Sequence, residues 1–178
     1  ATYAPIMASP LVRKVSLTGS TRVGQQMIRD AAGTMKKVTM ELGGNAPLII
    51  HDDADLEAAL AAAVPTKFAN AGQVCVTCDR IFVHDSLHDA FVAGFAARAA
   101  ALKLGDGLDP SVQMGPVISA ARRAELEAIV ADAAQAGARL VTGGGRAAGF
   151  TAGFFLEPTV LADVTDDMRV FAEENFGP

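Results

Sequence analysis

Tryptophan is absent from this sequence, tyrosine occurs once, and cysteine only twice among 178 residues. Two cysteines do not make the disulfide framework of a small secreted domain, and free thiols suit a reducing cytosol. No block rich in Lys and Arg is present, and 15 basic residues against 20 acidic ones leave a formal net charge of -5. Nucleic acid and anionic membrane surfaces are therefore poor partners, and small molecules better ones. Nor does any stretch approach the ~20 consecutive apolar residues that span a bilayer; the Ala-rich run from Leu56 to Val64 contains Glu57 and stops at Pro65. The N-terminus shows no basic segment leading into an apolar core and a small-residue cleavage site. What is present is a chain that is 51% hydrophobic, enough to bury a sizeable core. The expectation is a soluble, cytoplasmic globular protein.

The first ten residues, Ala1 to Pro10, show little periodicity and read as a frayed or interrupted element. Alternation from Arg13 to Leu17 predicts a short strand, and Thr18-Gly19-Ser20-Thr21 turns it into a helix running to about Ala32 that stops at Gly33. Lys37 to Leu42 and Ala46 to His51 read as strands, separated by Gly43-Gly44, where the backbone must bend or approach something closely. Asp52, Asp53 and Asp55 supply cap and first-turn carboxylates for a helix starting near Leu56, which Pro65 should kink or divide. A strand from Arg80 to His84, helices from about Leu87 to Leu102 and from Ala120 to Ala136, and strands Arg139 to Thr142 and Phe155 to Leu161 complete the pattern. Strands alternating with helices predict an α/β fold, a mostly parallel sheet flanked by helices. Gly143-Gly144-Gly145 lacks the spacing and the following Lys-Ser/Thr of a P-loop and reads as a surface turn.

Cys75 follows the small, polar stretch Asn70-Ala71-Gly72-Gln73-Val74, a turn-rich setting between a helix and a strand. Loops at strand ends host catalytic groups in α/β proteins, whereas structural cysteines more often sit in apolar runs; on these residues alone an idle thiol and a nucleophile are evenly matched. Cys75 and Cys78 also form a C-x-x-C pair with His84 and His88 downstream. A zinc finger needs a longer loop between its pairs, so a metal or redox site stays a distant alternative. Glu41 closes a strand directly before a glycine pair, where half-burial would suit a general base. Gly19 and Ser20 stand at a strand-to-helix junction whose free N–H groups favour an anion, although helix capping alone explains the hydroxyls.

Taken in order, "VSLTGST" (Val15 to Thr21), "MELGGN" (Met40 to Asn45), "FANAGQVC" (Phe68 to Cys75) and "EENFGP" (Glu173 to Pro178) resemble motifs of the aldehyde dehydrogenase superfamily. "LGDGLDPSVQMGPVIS" (Leu104 to Ser119) and "FFLEPTVL" (Phe154 to Leu161) share its look, so the resemblance covers nearly the whole chain. It implies that Cys75 attacks the aldehyde carbonyl. The resulting thiohemiacetal yields hydride to the nicotinamide of NAD or NADP and leaves a thioester, with the Cys75 N–H in the oxyanion hole. Glu41 would activate the water that hydrolyses the thioester to a free acid, which disfavours acyl transfer to coenzyme A. Gly19 and Ser20 would hold the cofactor pyrophosphate, Leu42 and Gly43 would let the backbone approach the nicotinamide, Glu174 would accept from ribose hydroxyls, and Phe176 would pack near them. Asn175 departs from the apolar residue usual inside the last motif and is expected to loosen its packing.

Family members are considerably longer, so the chain reads as a fragment. Residues 1–41 would be the C-terminal part of a dinucleotide-binding domain, and residues 42–178 a truncated catalytic domain. The parent is expected to be a homo-oligomer acting on a small aldehyde, with a loose similarity to succinate-semialdehyde-oxidising members. It would bind no resident metal. The competing reading is an inactive folded fragment, or non-catalytic module, that keeps the motifs as scaffold. For Cys78 a packing role is expected, with a Cys75–Cys78 disulfide as a rival.

Overall fold

Residues 2–178 are described by a computed structural model. They fall into two units, one ending at Gly44 and the other running from Asn45 to Pro178.

In the first unit, β1 (Lys14–Thr18) and β2 (Lys37–Glu41) pair in parallel, in register from Lys14 with Lys37 to Thr18 with Glu41. A parallel pair needs a crossover, which is α2 (Thr21–Ala32). Gly33 ends α2 with a right-handed φ of -61°, so the stop does not depend on a left-handed glycine. The unpatterned N-terminus contains a short helix after all, α1 (Tyr3–Ala8). Its Met7 packs with Val15 and Ala31, and the Tyr3 hydroxyl donates to Asp30 Oδ2 at 2.6 Å. Two long-range contacts thus order a segment too short to be helical by itself. Buried Lys36 ties down the following turn by donating to the carbonyls of Ser9 (2.6 Å) and Val12 (2.8 Å).

The second unit repeats the parallel pair with β3 (Ala46–Ile50) and β4 (Cys78–Val83), connected through α3 (Leu56–Phe68). Asp55 caps α3 by accepting from the Ala58 N–H at 2.9 Å. The helix runs through Pro65 rather than dividing there. Val64 and Phe68, on either side of it, are both core residues, and their burial, about 1.5–3 kcal/mol each, offsets the hydrogen bond that proline lacks. Next come α4 (Asp85–Ala100) and α5 (Ala120–Gln135), the latter capped by Ser119. Phe95 of α4 stacks on Phe68 and Phe91 with centroids 5.7 and 5.5 Å apart, in a core that also holds Leu60, Met114, Val117 and Ile129.

The remaining strands, β5 (Arg139–Thr142) and β6 (Val160–Ala162), pair antiparallel. The expected strand from Phe155 to Leu161 is therefore mostly a loop. Phe155 and Leu156 are buried, but only an isolated bridge joins Leu156 to Arg146, and Pro158 interrupts the ladder. A short helix, α6 (Arg169–Ala172), precedes the C-terminal residues. Among the described residues no helix is long and apolar enough to cross a membrane.

Candidate functional site

In the first unit the parallel register sets Thr18 beside Glu41, and the Gly19 N–H donates to the Glu41 carbonyl at 3.0 Å. Gly19, Ser20 and Glu41 thus share one strand end. Ser20 caps α2, its hydroxyl accepting from the Val23 N–H at 3.4 Å. Leu42 lies under α2 so closely that a Cβ on Gly24 would stand 2.6 Å from its side chain. Glu41 is exposed, which corrects the half-buried expectation, and Gly43 is half-buried. A carboxylate at the last position of a two-stranded pair has no layer above it to cover it.

In the second unit the chain leaves α3 through three successive left-handed residues, Asn70 (φ 51°), Ala71 (φ 55°) and Gly72 (φ 69°). Left-handed backbone is costly for residues with a Cβ, and such strain persists only where the surroundings enforce it. Here the enforcement is visible. Ala71 is buried, the Asn70 amide donates to the Gln73 carbonyl, and the Gln73 amide donates back to the Asn70 carbonyl. The Gln73 side-chain oxygen accepts from the Ile118 N–H at 2.9 Å, and its amide reaches the Pro116 carbonyl at 3.4 Å. A turn closed from the Thr77 N–H to the Val74 carbonyl then presents Cys75 and Val76 at its exposed tip.

Three residues later Cys78 is buried at the start of β4, one of two free thiols facing different surroundings. Burial pushes its thiol up from the usual value, against the opposing pull of Lys67. His84 is used at the start of α4, where its ring accepts from the Ser86 N–H. Among the described residues no three His, Cys, Asp or Glu side chains are grouped to hold a metal.

The C-terminal strap, residues 170–178, is held against the cysteine loop and β4. A Cβ on Gly72 would lie 2.0 Å from the Gly177 carbonyl oxygen, so the two backbones touch. The Asn45 amide donates to the carbonyls of Phe171 (2.7 Å) and Glu173 (3.2 Å), while Arg80 donates to the Asn45 carbonyl and stacks 5.2 Å over the Phe171 ring. Asn175 does not loosen this segment as expected: it is buried, and its amide donates to the Val170 carbonyl at 2.8 Å. Phe176 takes a left-handed φ of 46° and is partly exposed. Glu174 is half-buried, and its Oε1 is buried without a hydrogen-bond partner. An acceptor left in that state costs free energy until a donor arrives. Such an acceptor suits a ligand that brings hydroxyl donors.

Cys75, Glu174 and Phe176 are thus brought onto linked segments of one unit, while Gly19, Ser20, Glu41, Leu42 and Gly43 share the other. Sequence reasoning quoted Asn45 and Gln73 within motifs but assigned them no role, and passed over Asp79 and Arg122. Their signal was polarity at otherwise packed positions, which only the tertiary partners explain. A cavity of about 380 Å³ between β4, α4, α5 and β6 is lined mainly by apolar groups and by neither Cys75 nor Glu174.

The family model described as "Aldehyde dehydrogenase family" matches residues 1–178. The chain is 50% identical over 169 residues to the 3-sulfolactaldehyde dehydrogenase of Pseudomonas putida, covering 95% of this chain and 34% of that protein. It is 46% identical over 173 residues to the NADP-dependent succinate-semialdehyde dehydrogenase of Escherichia coli K12, covering 97% and 36%. Among solved structures, succinate-semialdehyde dehydrogenase from Burkholderia pseudomallei superposes with a TM-score of 0.93 at 48% identity, over 97% of this chain and 36% of that one. The chain therefore spans about a third of the length of the curated relatives it matches. On its motifs, its fold and these matches, the chain belongs to the aldehyde dehydrogenase family.

Proposed function

We propose that the protein carrying this chain oxidises a small aldehyde to its carboxylic acid with NAD or NADP, using Cys75 as nucleophile and Glu41 as the base for hydrolysis. The observation that carries this is the exposed Cys75 at the tip of a strained, Gln73-locked loop that touches, through Gly72, the strap bearing the partnerless Oε1 of Glu174. An idle thiol needs no such loop.

In the first half-reaction the Cys75 thiolate adds to the aldehyde carbon, and its own backbone N–H helps stabilise the oxyanion. When bound, the dinucleotide supplies the hydride acceptor that turns the thiohemiacetal into a thioester. Glu174 and Phe176 would hold its ribose, Gly19 and Ser20 its pyrophosphate, and Leu42 and Gly43 would line its approach to the nicotinamide. In the second half-reaction Glu41 takes a proton from water as that water attacks the thioester, releasing the acid and restoring Cys75. A carboxylate in this role favours hydrolysis over transfer to another thiol. The unit ending at Gly44 would then belong to dinucleotide binding and the unit from Asn45 to the catalytic domain.

The relatives' names support a short aldehyde with a charged group: sulfolactaldehyde, succinate semialdehyde, glutarate semialdehyde and betaine aldehyde. Two free thiols fit a cytoplasmic setting, and a homo-oligomer is proposed from the family resemblance. The test is reduction of NAD and NADP by a panel of anionic and cationic aldehydes, with wild type against Cys75→Ala. Activity lost in the variant supports the reading; turnover that survives it removes Cys75 from the chemistry.

A further inference from the structure

Four residues beyond Cys75, Asp79 is a charged group in an unusual place, with a side chain only 4% exposed on β4. Its two oxygens serve two different parts of the fold. Oδ1 meets the ammonium of Lys67, in the last turn of α3, at 2.5 Å, and Lys67 is itself only 12% exposed. Oδ2 accepts from the backbone N–H of Asn175 at 2.9 Å. The Asn175 carbonyl in turn accepts from Arg122, and its side-chain amide donates to Val170. Residue 175 is thereby held at its N–H, its carbonyl and its side chain, while its neighbours Glu174 and Phe176 carry a partnerless buried oxygen and a left-handed backbone.

A buried ion pair is poor evidence for stability, because the desolvation of both charges offsets their attraction, and well-packed apolar side chains often replace one without loss. Stability alone therefore leaves Lys67 and Asp79 unexplained. Geometry explains them. The ammonium compensates the buried carboxylate at one oxygen, and the other meets the strap's backbone as a charge-assisted acceptor.

We infer that Asp79 is a positioning residue that, through its bond to the Asn175 N–H, sets the strap so that Glu174 meets the ribose hydroxyls of a nicotinamide dinucleotide. This rests on the proposed cofactor role of Glu174. Asp79 touches no reacting atom; it acts through Asn175. Single substitutions would leave one charge buried and uncompensated, so the informative variants remove both charges together. Lys67→Met/Asp79→Asn keeps an amide oxygen for the Asn175 N–H, and Lys67→Met/Asp79→Leu does not.

The experiment titrates NADH and NADPH by nucleotide fluorescence into the complete protein that carries these residues, as wild type, both double variants and Glu174→Ala, with melting temperatures alongside. The expected result is that both doubles melt within about 5 °C of wild type. The Asn double should bind the nucleotide like wild type, whereas the Leu double binds it weaker by on the order of tenfold. Amide exchange at Asn175 should be slow in wild type and the Asn double and fast in the Leu double. Equal affinities for the two doubles overturn the positioning role while leaving Glu174 in place. Wild-type binding by Glu174→Ala overturns the cofactor role of Glu174 and this inference with it, so the two failures are distinguishable.

Discussion

Gly72 lies against the carbonyl of Gly177, so closely that a Cβ at residue 72 would stand 2.0 Å from that oxygen. The loop bearing Cys75 and the strap bearing Glu174 are thus in backbone contact, and glycine at position 72 is required both by its φ of 69° and by the space. Gly72→Ala should cost about 2–5 kcal/mol, from the left-handed backbone together with overpacking. Urea unfolding measures this, and a variant as stable as wild type would refute the contact.

The two cysteines should differ in reactivity. Cys75 is exposed at a turn and Cys78 is buried with its thiol pushed up, so iodoacetamide at neutral pH should modify Cys75 at least about tenfold faster. Peptide mass spectrometry with and without chelator reads the result. Protection of both thiols until chelator is added would revive the metal reading, and a Cys75–Cys78 linkage the redox one.

Because burial raises the Cys78 thiol, the folded state favours its protonated form. The associated stability is complete below the unfolded thiol value of about 8.5 and is lost as pH rises through the higher folded value. The urea midpoint should therefore fall more steeply above about pH 8.5 in wild type than in Cys78→Ala. Parallel pH profiles would count against burial of this thiol.

Gln73 joins the cysteine loop to the Pro116–Ile118 segment through both ends of its amide. Gln73→Ala should cost about 0.5–1.5 kcal/mol, the net worth of such a hydrogen bond, since water can reach the exposed Ile118 N–H. If the loop positions the nucleophile, labelling of Cys75 should change as well. Unchanged stability and labelling together would show that the loop holds without it.

Asn175 makes one side-chain hydrogen bond and leaves its Oδ1 buried without a partner. Replacement by a similar apolar residue removes a bond and an orphan together, so Asn175→Leu should change stability by no more than about 1 kcal/mol. Differential scanning calorimetry decides it, and a loss of several kcal/mol would mean that the orphan oxygen has a partner in solution.

Much of this was legible along the chain because it is local. The capping of α2 by Ser20 and of α3 by Asp55, the alternation of β1 and the run of α5 from Ala120 depend on neighbours a few residues apart. The motif order likewise placed Cys75, Glu41 and Glu174 on one chain with an ordered chemistry in view. Helix α1, the passage of α3 through Pro65 and the loss of most of the strand at Phe155 were not legible. Each was decided by a distant partner or by the lack of one: Asp30 for Tyr3, Phe95 for Phe68, and an interrupted ladder opposite Arg146.

By itself, then, the sequence determined the family, the cysteine motif and the order of elements, since periodicity, caps and glycine placement act within a few residues. Only the tertiary structure decided that Glu41 is exposed, that Cys78 is buried while Cys75 is not, and that Asn175 fastens the strap rather than loosening it. It also decided that Asp79 reaches across 96 residues to the Asn175 backbone. Burial and hydrogen-bond partnership are properties of what lies across space, and no local pattern encodes which distant backbone a carboxylate will meet.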